Sequence, residues 1–217
     1  MPGDNQELTL WQRGDEFSIR LSGHVGELMN SRMHASEEAL ARLACEGLRE
    51  RPGARVLIGG LGMGYTLAEA LRGLGPDASV VVAELVGAVV DWNRGPLGPC
   101  AGRPLDDARV QVAVGDVARW LSPDAGTFDA VVLDVDNGPS AMTRRPNAWL
   151  YGRAGLAAAH ERLRPGGVLA VWSAEPDDAF TRRLEQAGFS VRVETTRARP
   201  GKGARHVVWL GRRPPDR

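Results

Sequence analysis

The chain has 217 residues, 43% of them hydrophobic and 25% charged, with a formal net charge of zero. That length and balance fit one globular domain with a packed core and exclude a wholly disordered chain. Zero net charge also argues against broad electrostatic capture of nucleic acid or of an anionic membrane surface.

From the N-terminus, ELTLWQRGDEFSIRL (7–21) alternates apolar and polar residues on either side of Gly14-Asp15 and reads as a β-hairpin. A third short strand is expected near Glu27–Asn30. ASEEALARLACEGL (35–48) has helical spacing, with Ser36 as N-cap and Glu37 and Glu38 in the first turn, where acids complement the helix dipole. Cys45 falls in the apolar stripe of this helix and reads as a buried structural thiol. With Cys100 it makes neither a disulfide framework nor a metal site.

After Pro52-Gly53 the pattern changes to alternating strands and helices. RVLIGG, SVVVAEL, ARVQVAVGD, FDAVVLD and GGVLAVWSA read as strands. TLAEALRGL, VGAVVDWN, a short turn at VARWL, AWLYGRAGLAAAHERL and DAFTRRLEQAG read as helices between or after them. Continuous Val/Ile/Leu strands alternating with helices give a parallel sheet covered on both faces. FSVRVETT and ARHVVWLG, separated only by the loop ARPGKG, are expected to close the sheet as an antiparallel hairpin. The Pro/Gly-rich piece RGPLGPCAGRP (94–104) reads as a connecting loop. The expected fold class is α/β: a Rossmann-like, seven-stranded, mostly parallel sheet, with residues 1–34 as a short N-terminal β segment and 35–217 as the nucleoside-binding domain.

GLGMG (60–64) stands directly after a strand and before a helix. Glycines there let the backbone turn tightly and approach a ligand, and the helix start offers amides. Glu84 ends the next strand, 24 positions beyond Gly60, where a carboxylate can accept from both ribose hydroxyls. The third glycine comes one residue too early for a G-x-G-x-x-G dinucleotide loop. Asp116, in VGDV, can accept from an adenine amino group and can equally cap the short helix behind it. DVDNGP (134–139) puts Asp134 and Asp136 straight after a buried strand, either a tight polar turn or a site for a cation.

The set Gly60, Gly62, Gly64, Glu84, Asp116 and Asp134 resembles the class I AdoMet-dependent methyltransferase fold over about residues 53 to 211. VLIGG with its glycine loop and TL, AEL, GD, the acidic turn and RLRPGGVLAVW resemble spermidine synthases more closely, and the N-terminal β segment with SEEALARLA resembles that family's N-terminal domain in shortened form. The resemblance implies a transferase that uses S-adenosylmethionine or decarboxylated S-adenosylmethionine as co-substrate. Gly60, Gly62 and Gly64 would line the donor's arm, Glu84 the ribose, Asp116 the adenine, and Asp134 the sulfonium and the acceptor. The acceptor would be an amine or other small polar molecule, for which a site must both bind a cation and accept a proton.

Two positions depart from the family. Its proton-accepting second acid falls on Asn137, an amide that cannot take a proton, with Asp136 one residue away as substitute. Its glycine-loop Asp, which holds the ammonium of the aminopropyl arm, falls on Met63. Both favour methyl transfer from AdoMet over aminopropyl transfer. The other class of reading is a non-catalytic homologue serving as a nucleoside-binding or interaction module.

Smaller candidates carry alternatives of their own. Arg144 and Arg145 could clamp a carboxylate or lie solvated; Trp149 and Tyr151 could wall a sulfonium or pack in the core; Glu175 could add a carboxylate or belong to a polar turn. His34 has no second ligand at metal spacing, so no metal is expected. The basic loop RARPGKGARH reads as solvated, so nucleic acid is not an expected partner. No apolar run approaches the about 18 residues of a membrane span, and no signal-like leader stands at the N-terminus. The expectation is a cytoplasmic protein without membrane partners, and a homodimer is the assembly that the resemblance allows.

Overall fold

The structure is a computed structural model that describes residues 7–22, 27–135, 139, 148–199 and 202–216. Strands β1 (Leu8–Arg13) and β2 (Glu16–Leu21) form the expected hairpin through a two-residue turn, and β3 (Met29–Asn30) adds to β2. The inward face of β2 buries Phe17 and Ile19 against Met63 and Leu97 of the larger unit, so the small sheet rests on the glycine loop. Helix α1 (Ala35–Ala44) follows. It starts earlier than its serine signal: His34 takes the N-cap position and Ser36 lies buried inside the first turn, donating its hydroxyl to Glu37 Oε2 at 2.9 Å. Cys45, just past the helix, is buried, and burial pushes its thiol up to about 12.

The remaining elements are β4 (Arg55–Gly59), α2 (Tyr65–Arg72), β5 (Ser79–Glu84), α3 (Gly87–Arg94), β6 (Val110–Val114), β7 (Phe128–Leu133), α4 (Ala148–Tyr151), α5 (Arg153–Arg162), β8 (Leu163–Ser173), α6 (Asp178–Gln186), β9 (Ser190–Arg199) and β10 (Lys202–Arg212). The sheet order is β6-β5-β4-β7-β8-β10-β9. Pairing is parallel from β6 to β8 and antiparallel at β8–β10 and β10–β9, as the sequence pattern requires. The chain runs outward from β4 through β5 to β6, then returns to lay β7 on the other side of β4. The crevice between the ends of β4 and β7 is therefore the topological switch point, where open α/β sheets bind ligands.

The period of two along the strands divides the core. Val56, Ile58, Val80, Val82, Ala130 and Val132 face one way and pack under Leu40, Leu67 and Val89 of α1 to α3. Leu57, Val81, Val131, Leu133, Leu169 and Val171 face the other way, under Leu156, Phe180 and Leu184 of α5 and α6. Two expectations need correction. The single helix 148–163 is broken at Gly152, whose extended backbone separates α4 from α5. The expected loop ARPGKG is largely strand: Arg199 pairs with Lys202, because cross-strand bonding carries the ribbon past the last apolar residues. Segment 94–104 is a connection, as expected, ordered in part as short 3₁₀ turns at Gly98–Ala101 and from Pro104.

Candidate active site

Gly60 adopts φ +86°, and a Cβ there would lie 2.3 Å from the Asp134 carbonyl oxygen, so only glycine lets the end of β4 pass this close to the end of β7. The Asp134 amide donates to the Gly59 carbonyl at 2.8 Å across the same gap. Gly64, at φ +85°, begins α2, and a Cβ there would meet Asn93 Oδ1 at 2.9 Å. Asn93 is 2% exposed, and its Nδ2 donates to the carbonyls of Gly62 and Val89, both at 2.9 Å. The loop between β4 and α2 is thus pinned from below by a buried amide on α3.

Glu84, at the end of β5, is 8% exposed. Its Oε2 accepts from the Leu61 amide and its Oε1 from the Val86 amide, both at 2.9 Å. Those two bonds fix the carboxylate against the glycine loop and leave lone pairs on both oxygens. Beside it, Leu85 and Val114 are 61% and 62% exposed at the ends of β5 and β6. Two large apolar side chains left open at adjacent strand ends make a wall for a flat apolar group. Asp116 is exposed and uses Oδ1 to accept from the Ala118 amide at 2.8 Å, the capping role that its sequence context allowed.

Asp134 follows β7 and accepts from Thr66 Oγ1, in the first turn of α2, at 2.6 Å through Oδ2. Burial pushes its carboxyl up to about 6, against the pull of the Thr66 hydroxyl. Glu37, in the first turn of α1, lies within electrostatic reach of it. Burial and then repulsion from Asp134 push Glu37 up to about 7, opposed by its own backbone amide and by Ser36. Among the described residues neither acid has an ion-pair partner. The His34 ring stacks on Tyr65 at 4.2 Å and 14°, and Tyr65 donates its hydroxyl to the Ser31 carbonyl at 3.0 Å, which ties the start of α1 to the start of α2. His34 Nδ1 meets Glu38 Oε1 at 3.0 Å.

The glycines, Glu84 and Asp134 converge at the switch point, and Asp116 stands at the rim. Asp136, Asn137, Arg144 and Arg145 lie outside the described residues. Tyr151 is core: its ring meets Phe180 edge-on at 5.8 Å, and its hydroxyl donates to the Val135 carbonyl at 3.0 Å. Trp149 is exposed, and Glu175 is an exposed residue in a turn held by Ser173. Met63 is buried among Phe17, Ile19 and Leu97, facing the small sheet.

Sequence reasoning missed Glu37, Thr66 and Asn93 as site residues. Glu37 looked like one of two dipole-matching acids, and only the packing of α1 against α2 and β7 gives it a different neighbour. The TL after the glycine loop is the one local signal that could have found Thr66.

No protein-family model matches the chain. The chain is similar to polyamine aminopropyltransferase 2 of Pseudomonas aeruginosa, with 36% identity over 124 residues, 55% of this chain and 33% of that one. It thus spans about a third of the length of that curated relative. Among solved structures it superposes on spermidine synthase from Thermotoga maritima with a TM-score of 0.74 and 21% identity, covering 99% of this chain and 72% of that one. A spermidine synthase in complex with the transition-state analogue AdoDATO gives a TM-score of 0.73 at 20% identity, covering 99% and 71%.

Proposed function

Starting from the spermidine-synthase-like form of the class I AdoMet-dependent methyltransferase fold that the chain carries, we propose that this protein is a transferase that alkylates an amine with a sulfonium nucleoside. The observation that carries the reading is the half-buried Asp134 carboxylate, unpaired with any cation among the described residues, set against a glycine loop whose other side holds Glu84. Such an arrangement calls for a positively charged ligand attached to a ribose.

Gly60, Gly62 and Gly64 pass the backbone along the donor's arm. Glu84 accepts from the ribose hydroxyls, Leu85 and Val114 flank the adenine, and Asp116 takes its amino group. Asp134, with Asp136 two positions on, holds the positive charge of the sulfonium and of the incoming amine. The likeness to a polyamine aminopropyltransferase favours decarboxylated S-adenosylmethionine as donor and aminopropyl transfer as reaction. A second reading, methyl transfer from S-adenosylmethionine, draws on Met63: buried against the small sheet, it offers the donor's arm no carboxylate for an ammonium.

Calorimetry with S-adenosylmethionine, decarboxylated S-adenosylmethionine and methylthioadenosine tests the reading. Binding of one or more is expected, and no binding of any would overturn it. Mass spectrometry of an amine incubated with each donor then separates a gain of an aminopropyl group from a gain of a methyl group. Binding without either product identifies a nucleoside-binding module instead.

A further inference from the structure

Both readings leave one chemical requirement open. An amine acceptor is an ammonium near pH 7, and only its neutral form attacks. The proton must pass to a group of matched affinity that stands beside the reacting nitrogen. Asp134 is engaged by Thr66 and lies under the sulfonium side of the site in the reading above. Asn137 has no basic atom to offer.

The described residues supply another carboxylate. The first turns of α1 and α2 and the end of β7 meet at one corner of the switch point. The His34–Tyr65 stack holds the two helix starts together, and the Thr66–Asp134 hydrogen bond holds α2 to β7. Glu37 stands in that first turn of α1, its carboxylate accepting from the Ser36 hydroxyl at 2.9 Å. It interacts electrostatically with Asp134, Glu38 and the Tyr65 hydroxyl, while His34 is engaged by Glu38. Two half-buried carboxylates that repel each other, with no cationic partner among the described residues, are costly, and a bound ammonium relieves that cost.

We propose that Glu37 is the proton acceptor for the amine, which binds beside Glu37 and Asp134. This inference rests on the transferase reading above. The ammonium gives one proton to the Glu37 carboxylate. The freed nitrogen lone pair forms a bond to the carbon attached to the donor's sulfonium, that carbon–sulfur bond breaks, and its electron pair stays on sulfur. The products are a secondary ammonium, a neutral thioether nucleoside and protonated Glu37, which releases its proton to water. The balance holds for an aminopropyl or a methyl group alike. A group that ionises close to neutral pH, as Glu37 does, suits this task.

The test compares wild type with E37Q and D136N, using 1,4-diaminobutane as the acceptor probe and the donor that calorimetry selects. In E37Q, kcat/KM for the amine is expected to fall by about 10²–10⁴-fold, the range of a lost general base, while methylthioadenosine affinity stays within about threefold of wild type. The residual E37Q rate should climb with pH toward the amine's own ionisation at about 10, whereas wild type should level off above neutrality. A merely structural role for Glu37 would not produce that change of profile. An E37Q enzyme with wild-type kcat/KM and pH profile overturns the inference and leaves the nucleoside reading standing. The same profile change in D136N but not in E37Q also overturns it, assigning the proton to Asp136. Loss of all nucleoside binding by wild type overturns the reading and the inference together.

Discussion

Thr66 donates its hydroxyl hydrogen to Asp134 at 2.6 Å, joining the first turn of α2 to the end of β7 across the mouth of the glycine loop. The bond steadies the charged form of an acid that burial otherwise keeps protonated, so Asp134 ionises at about 6 rather than higher. The same contact fixes which way the carboxylate faces. Thr66 is itself almost wholly buried, so no water can replace it freely.

Thr66→Val keeps the shape and removes the donor. The lost bond to a charged group costs about 1.5–3 kcal/mol when the acid is ionised, so the Asp134 ionisation moves upward. Transfer at pH 7 should drop by roughly tenfold, because each 1.4 kcal/mol is a factor of ten, and the acidic limb of the kcat/KM profile should shift to higher pH. The measurement is that profile for both proteins. An unmoved limb means that Asp134 is not the group the profile reports.

Glu84→Gln should act on the nucleoside and not on the acceptor. The carboxylate accepts from two backbone amides at once, at Leu61 and Val86. An amide has only one acceptor atom, so one of these donors is left facing an NH₂ group. The expected results are a stability loss of about 1–3 kcal/mol and a methylthioadenosine affinity lower by roughly tenfold to a hundredfold, the worth of one or two charge-assisted hydrogen bonds. Calorimetry and thermal unfolding read the two effects separately, and an unchanged affinity would remove Glu84 from the ribose site.

The elements that positioned these residues were legible because their signals are local. The apolar runs of β4, β5 and β7 and the glycines after β4 announce themselves within a few residues, as do Glu84 and Asp134 at the strand ends. Residues whose role depends on long-range packing were not legible. Glu37 is separated from Asp134 by almost a hundred positions, and nothing near it says that α1 would bring it to the end of β7. Asn93 sits in a helical stretch where an amide is unremarkable until Gly62 comes within its reach. Tyr151 shows the reverse: an aromatic beside the site motif, yet its ring belongs to the core and only its hydroxyl reaches Val135. The ribbon of β9 and β10 was underestimated because its outer pairs are polar, and backbone bonding needs no apolar side chains.

Asn93→Ala removes both hydrogen bonds of the buried amide and leaves the Gly62 carbonyl without that donor. The expected stability loss is about 1–3 kcal/mol. The loop should also become more mobile, so the KM for the nucleoside donor should rise about tenfold with the KM for the amine nearly unchanged. Hydrogen exchange at residues 60–64, compared between the two proteins, reports the loosening directly. Equal protection in both would show that backbone bonds alone hold the loop.

Glu37→Gln should stabilise the unliganded protein in a pH-dependent way. Glu37 ionises at about 7 in the folded chain instead of 4.5, and Asp134 at about 6 instead of 3.8. Both values are raised, so the folded state binds protons more tightly than the unfolded chain does. The stability this supplies is complete below about pH 4, is lost as pH rises through about 6 and 7, and is absent above that, where the two carboxylates repel each other. Replacing Glu37 by the neutral isostere removes its share of the loss. At pH 8 the gain should be on the order of 1–2 kcal/mol, discounted for partial exposure, or about 2–8 °C in Tm for a domain of this size. At pH 4.5 the two proteins should unfold within a degree or so of each other, because Glu37 is already protonated in the folded state. Thermal unfolding by circular dichroism at the two pH values decides the matter. A glutamine variant no more stable than wild type at pH 8 would show that Glu37 and Asp134 do not repel each other in the unliganded protein.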